Sequence, residues 1–220
     1  MADELRDVFN QIAPSWYNFR HHTIFRRELE ELAEEGRGGK LLNLGCGHGA
    51  DFLPFVGKFE CYGIDFSEEM VKFARKYAEK YRFTVNLAVA DVSQLPFQNA
   101  SFDCAISVAT YHHLKTEQRL PALQELKRVL KPGGTAFITV WNHYQVKFWF
   151  RGRDVMVPWR TKEKTLYRYY HLFSYSELIN LARQAGFEVV KAFPESNYRF
   201  PAKCFSRNIC LLLKRLDSES

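Results

Sequence analysis

Lys40-Leu41-Leu42-Asn43-Leu44-Gly45-Cys46-Gly47-His48-Gly49-Ala50 is the stretch on which the fold of this chain turns. Four apolar or strand-tolerant residues, 41–44, run straight into three alternating glycines, and a helical pattern follows. A buried parallel strand ending in a tight turn reads this way, because residues without a Cβ let the backbone approach a ligand closely. Such glycines also occur in ordinary turns and in nucleotide folds of several kinds, so spacing has to decide. Asp65 ends the next apolar run (Cys61-Tyr62-Gly63-Ile64-Asp65), about 20 residues on, where a carboxylate can accept both hydroxyls of a ribose. Asp91 ends a third run that starts at Asn86. Three strands therefore present polar groups at one edge of a sheet.

On the N-terminal side, residues 3–10 make a short amphipathic start that Ala13-Pro14-Ser15-Trp16-Tyr17-Asn18 is expected to break. A helix is predicted over 23–35, with Ile24, Phe25, Leu29 and Leu32 apolar and a glycine-rich stop at 36–39. Residues 1–39 would form a helical lid over the ligand edge. On the C-terminal side, strands are predicted at 40–45, 59–65, 84–89, 102–108 and 135–141. Helices fall between them near 48–56, from Ser67 as N-cap to about 80, and over 116–130. This rhythm gives an α/β, doubly wound, mostly parallel sheet with ligands at the carboxyl ends of its strands. A helix over 174–185 and strands near 187–192 and 206–214, the last two antiparallel, complete seven strands in one domain spanning 1–220. Only 217–220 reads as disordered.

Residues 142–172 interrupt the alternation as an insertion. Within 142–170 and the preceding Trp141, aromatic residues crowd among seven Lys and Arg. Such a segment can stack bases and neutralise phosphates, or tuck its rings under the sheet. The chain carries 31 Lys and Arg against 25 Asp and Glu, and from 141 to 215 the ratio is 14 to 5. Clustered positive charge favours a polyanion, although solvated faces on a basic protein look the same in sequence. Five cysteines, odd in number and without Cys-x-x-Cys spacing, suggest a reduced intracellular setting and no zinc site. With no signal peptide or long apolar span in the sequence, a cytoplasmic protein with no membrane partner is expected.

Taken in order, Leu44-Gly45-Cys46-Gly47-His48-Gly49, Gly63-Ile64-Asp65-Phe66-Ser67, Ala90-Asp91, Phe102-Asp103 and Val129-Leu130-Lys131-Pro132-Gly133-Gly134 resemble the motif series of class I S-adenosylmethionine-dependent methyltransferases, with their Rossmann-like sheet. The resemblance covers residues 38–142. A dinucleotide fingerprint would want glycine where Ala50 stands. The likeness implies S-adenosylmethionine as donor and S-adenosylhomocysteine as product. Gly45, Cys46, Gly47 and Gly49 would lie by the methionine part, Asp65 would hold the ribose, and Asp91 with Val92 the adenine. Phe66 and Met70 either cover that ring or belong to the core. Asp103 opens a strand away from the ligand edge and can be structural.

The acceptor loop, Ala109-Thr110-Tyr111-His112-His113-Leu114, lacks the Asn/Asp-Pro-Pro-Tyr of DNA N-methylating enzymes, and Cys104 inside a strand is no nucleophile for C5 methylation. A histidine pair is commonly packing or a cap, but this one follows the strand that faces the transferred methyl. The stretches 8–14 leading to Arg20, Ser107–His113, Val140-Trp141 and Arg168-Tyr169-Tyr170-His171-Leu172-Phe173 are similar to the tRNA wobble-uridine methyltransferases, which esterify 5-carboxymethyluridine. That likeness implies a tRNA anticodon stem-loop as partner, and a small zinc-binding activator subunit at the uncharged edge strand 85–89. Arg20 and Arg168 would clamp the carboxymethyl group, unless they are surface charge and a phosphate contact respectively, while His113 positions the uridine. Tyr17, His112, Trp141, Tyr169, Tyr170 and His171 would line the acceptor pocket. Methylation of a small acceptor (a quinone precursor, sterol or carboxylic acid) and an inactive donor-binding scaffold are the alternatives.

Overall fold

The computed structural model describes residues 2–161 and 163–216; the expected disordered end, 217–220, lies outside them. In chain order the helices are α1 (Ala2–Phe19), α2 (Arg26–Glu35), α3 (Glu68–Tyr81), α4 (Thr116–Val129) and α5 (Tyr175–Gln184). The strands are β1 (Gly39–Leu44), β2 (Phe59–Asp65), β3 (Asn86–Val89), β4 (Phe102–Val108), β5 (Leu130–Trp141), β6 (Asp154–Arg160), β7 (Thr165–His171), β8 (Phe187–Pro194) and β9 (Asn208–Arg215). Seven strands form one sheet in the order β3-β2-β1-β4-β5-β9-β8. All pairs from β3 to β5 are parallel, and β9 runs antiparallel between β5 and β8. This is the Rossmann-like methyltransferase sheet that the motif order implied.

The central strands are apolar on both faces because helices cover both. Leu42, Leu44, Ala105 and Ile138 pack towards α4 and α5, with Leu123, Leu126 and Leu178. Leu41, Cys61, Cys104, Ile106 and Phe137 pack on the other side with Phe25 and Leu29 of the α2 region and with Phe52 and Phe55. Each such fully buried Leu or Phe contributes roughly 1.5–3 kcal/mol relative to exposure. Strand order reverses between β1 and β4, the switch point where open α/β sheets leave a crevice. Asp103, at the opposite end of β4, accepts from the Lys40 amide at 2.8 Å and from Lys131 Nζ at 2.7 Å. Its role is structural.

Four local expectations change. The helix α1 runs through Pro14 instead of breaking at 13–18. Phe9, Ile12 and Ala13 are buried together with Met70 of α3, and Asn10 Oδ1 accepts from Ser67 Oγ at 2.7 Å. Those tertiary contacts offset a helix-interior proline, which costs about 3 kcal/mol. The segment 48–56 is a short 3₁₀ turn, Ala50–Phe55, containing Pro54. The Lys131-Pro132-Gly133-Gly134 stop lies inside β5, which begins at Leu130. The insertion is not irregular: β6 and β7 pair antiparallel as a separate hairpin, Asp154 opposite His171 and Arg160 opposite Thr165. Among the described residues no helix is long and apolar enough to cross a membrane.

Candidate functional site

Two loops meet at the switch point. Gly45, straight after β1, has φ +68°, and a Cβ there would stand 2.2 Å from Thr110 Oγ1 in the loop after β4. Thr110 Oγ1 and Ser107 Oγ both donate to the Leu44 carbonyl, at 3.1 and 3.2 Å, which fixes the two strand ends together. Ala109 holds φ +60°, rare for a residue with a side chain, and its N–H donates to Thr139. Strain of this kind concentrates where a loop must face a ligand. Nothing in the sequence marks Ala109 as special.

The cavity above these loops is lined from below by Gly45, Cys46, Gly47, Asp65, Phe66, Met70, Asp91 and Val92. These are the residues expected at the donor, except Gly49, whose Cβ position lies 3.5 Å from the Ala74 backbone behind the turn. Cys46 contributes backbone, since burial pushes its thiol far above its ordinary range. Both Asp65 oxygens accept backbone N–H groups at 2.9 Å, Oδ2 from Gly47 and Oδ1 from Ser67. Burial outweighs these bonds and raises the carboxyl to about 6. Asp91 Oδ1 takes the Ser93 amide and hydroxyl, at 2.7 and 2.6 Å. Ser67 caps α3 by accepting from the Met70 amide at 3.1 Å, placing Phe66 and Met70 over the crevice.

S-Adenosylmethionine fits this set on observations independent of any motif. Gly47 has φ +53° and its absent Cβ would meet no atom within 4 Å, so the backbone is bare towards the cavity. Beside that turn, Asp51 is pushed to about 6 by burial, against a Thr23 hydrogen bond and the Arg20 charge. Arg20 and His48 keep buried Nε and Nε2 atoms without partners. Asp51 suits the ammonium of an α-amino acid terminus, and Asp65 suits a diol. Asp51 and His48 carry no sequence signal beyond proximity to the glycines, and Thr23 carries none.

The upper wall comes from α1, the segment after it, and the hairpin. Arg168 on β7 is 5% exposed, and its guanidinium carbon lies 5.7, 5.1 and 5.3 Å from the rings of Trp16, Trp159 and Tyr170. Arg20 stands over the same Trp16 ring at 5.0 Å. The Nε of each arginine has no hydrogen-bond partner. His113 Nδ1 is 2.8 Å from the Tyr169 carbonyl, so that nitrogen carries the proton. Burial pushes the imidazole down to about 3, leaving a neutral ring with its Nε2 lone pair free of a proton. Trp141 and Tyr170 also face the cavity.

Four expected acceptor residues lie elsewhere. Side chains alternate along a strand, so Arg168 and Tyr170 face inward while Tyr169 and His171 take the far side of the hairpin. There His171 bridges Asp154 at 2.9 Å and Glu177 at 2.8 Å, and the Tyr169 hydroxyl also donates to Asp154. His112 is fully buried behind the wall, its Nδ1 accepting from the Trp141 amide at 3.2 Å and its ring stacked on Tyr170. Tyr17 packs on Phe73 at 5.0 Å, one residue off the cavity-facing side of α1 that carries Trp16. Trp16 and Trp159 were not among the residues expected to line the acceptor pocket. Trp159 reaches the site only because β6 pairs with β7.

Comparison with known proteins agrees with this geometry. The family described as "Methyltransferase domain" matches residues 41–134. A protein of Encephalitozoon cuniculi named as a methyltransferase is 34% identical over 78% of this chain and 80% of its own. The human protein named as tRNA methyltransferase 9B is 29% identical over 91% of this chain, and the Arabidopsis thaliana tRNA (carboxymethyluridine(34)-5-O)-methyltransferase 38% identical over 61%. The chain spans only 40% and 31% of the lengths of these two relatives. Among solved structures, a methyltransferase in complex with the Haloferax volcanii Trm112 methyltransferase activator superposes with TM-score 0.73 at 21% identity. That alignment covers 98% of this chain and 99% of that one.

Proposed function

The chain belongs to the class I S-adenosylmethionine-dependent methyltransferases, and we propose that its acceptor is the carboxymethyl group of wobble 5-carboxymethyluridine in tRNA, converted to the methyl ester. One observation carries this reading: two guanidinium groups, Arg20 and Arg168, share one tryptophan ring in the cavity wall, and the buried Nε of each has no hydrogen-bond partner. Among the described residues no acid is within ion-pair distance of Arg168. A buried cation without a counter-ion is costly, and an incoming carboxylate supplies one.

The bound donor supplies an already activated methyl on a sulfonium. The chain's task is then orientation, worth up to about 7–11 kcal/mol of barrier when geometry is good. A carboxylate is ionised at pH 7 and needs no base to attack. That matches a site in which burial holds the His113 imidazole neutral. Arg168 and Arg20 fix the carboxylate through planar forks. His113 offers Nε2 to a uridine N–H, and Tyr170 and Trp141 wall the pocket. Residues 1–39 act as the lid, and the insertion 142–172 as the acceptor wall.

Names of the relatives support tRNA as substrate, and the superposed complex supports an activator subunit; its docking at the β3 edge is part of the proposal. The test is esterification of tRNA bearing 5-carboxymethyluridine, read by nucleoside mass spectrometry. Wild type forms the ester, and Arg168→Ala loses at least a hundredfold in rate with donor affinity kept within about twofold. Full activity of that variant removes the clamp. Equal methylation of small carboxylic acids without RNA moves the acceptor to small molecules, and donor binding with no acceptor methylated leaves a donor-binding scaffold.

A further inference from the structure

Two loops beside the cavity mouth are poor in acid. One, 142–152, follows β5 and has none; the other, 195–207, joins β8 to β9 and has only Glu195, which is buried and accepts from the Arg207 and Asn208 amides. Together they carry Lys147, Arg151, Arg199, Lys203 and Arg207. Only the first drew notice in the sequence; the second is basic and aromatic at a density that ordinary loops share. Folding brings them together. Trp149 meets Phe205 at 6.0 Å between ring centroids, and Phe205 meets Phe200 at 6.3 Å. These rings are left in water: Phe150 is 99% exposed, Phe200 62% and Trp149 53%. Trp149 is nonetheless held in place, its indole N–H donating to the Tyr144 carbonyl at 3.0 Å.

We propose that these two loops form a binding track for single-stranded RNA, leading from the cavity mouth outward over Trp149, Phe205 and Phe200. The proposal rests on the tRNA reading above and deepens it. Continuity with the site is direct. Trp141 and Asn208 line the cavity, and Lys147 Nζ sits 4.2 Å over the Trp141 ring. Arg207, next to Asn208, is close enough to act on both Lys147 and Arg20. Cations therefore step outward from the site beside exposed rings. Spaced phosphates and unstacked bases match that alternation, because aromatic faces accept any base and cations track the backbone. A membrane surface would place its cations apart from an uninterrupted apolar face; here Lys147 Nζ sits over the Trp141 and Phe148 rings, in the same loop as the exposed Trp149.

The experiment measures binding of the full chain to an RNA hairpin with a single-stranded loop, against a fully paired RNA, by fluorescence anisotropy. Loop-bearing RNA binds tighter. The double variant Trp149→Ala/Phe205→Ala loses about thirtyfold or more in that affinity, at about 1–3 kcal/mol for each of two stacked bases. Lys147→Gln and Arg207→Gln each lower the salt slope by about one. Donor affinity, measured by calorimetry, stays unchanged in all of them, which controls for folding. RNA affinity unchanged in the aromatic variant, or no preference over paired RNA, overturns the track. So does Trp149 fluorescence that responds to anionic phosphatidylserine vesicles and not to RNA. Wild-type protein that binds the hairpin through these residues yet esterifies nothing upholds the track and sinks only the acceptor assignment.

Discussion

At the scale of single residues, Asp65 shows how burial and function pull apart. Its folded pKa of about 6 stands above the ordinary 3.8 because burial disfavours the charge more than two amides favour it. For an acid raised in this way, the stabilising contribution is complete below about pH 4 and is lost as pH rises through 6. The ionised carboxylate at pH 7 thus costs about 3 kcal/mol, from a shift of about two units. Ribose hydroxyls need the ionised form as acceptor, so donor affinity falls with acid below pH 6. Asp51 titrates in the same range from the same cause, which sets the design of the test. In Asp51→Asn the slope of log Kd against pH approaches minus one as pH falls from 6 to 5, and adding Asp65→Asn flattens it. Calorimetry from pH 5 to 8 reads both, and a flat profile in the single variant removes Asp65 as the ribose acceptor.

At the scale of elements, the central strands β1, β2, β4 and β5 were legible because parallel strands covered on both faces write apolar runs, as in Leu41-Leu42 or Cys104-Ala105-Ile106. What was not legible depended on partners distant in sequence. Pro14 looks like a break until Asn10 and Ile12 are seen docked on α3. Its ring leaves the Asn10 carbonyl without a helical donor, and the side chain itself is exposed. Pro14→Ala is therefore expected to stabilise by about 1–2 kcal/mol, raising Tm by a few degrees in a thermal melt. A lower Tm would mean that the proline shapes the approach of α1 to the crevice. The Arg168–His171 stretch was legible as an element of the site but not in its facing. An Arg-Tyr-Tyr-His run reads as one patch until pairing with β6 makes it a strand and sends alternate side chains to opposite sides.

At the scale of the whole molecule, the sheet has two ends of unlike character. One closes with the antiparallel pair β8 and β9, and the other stops at β3, four residues long and without a charge. Val89 there is 50% exposed. An open, uncharged edge offers unpaired backbone groups to any extended segment, so the chain alone is expected to be poorly soluble, and the proposed activator relieves this by adding to β3. A lysine blunts such an edge without touching the crevice, since β3 reaches the site only through Ala90 and Asp91 beyond its end. Val89→Lys should therefore make the isolated chain more soluble and, at the same time, abolish co-purification with the activator, while donor binding stays as it was. The two effects must appear together, because one surface causes both. A variant that gains solubility yet still carries the activator places the docking surface elsewhere, and then the open edge is only a hazard that the fold tolerates.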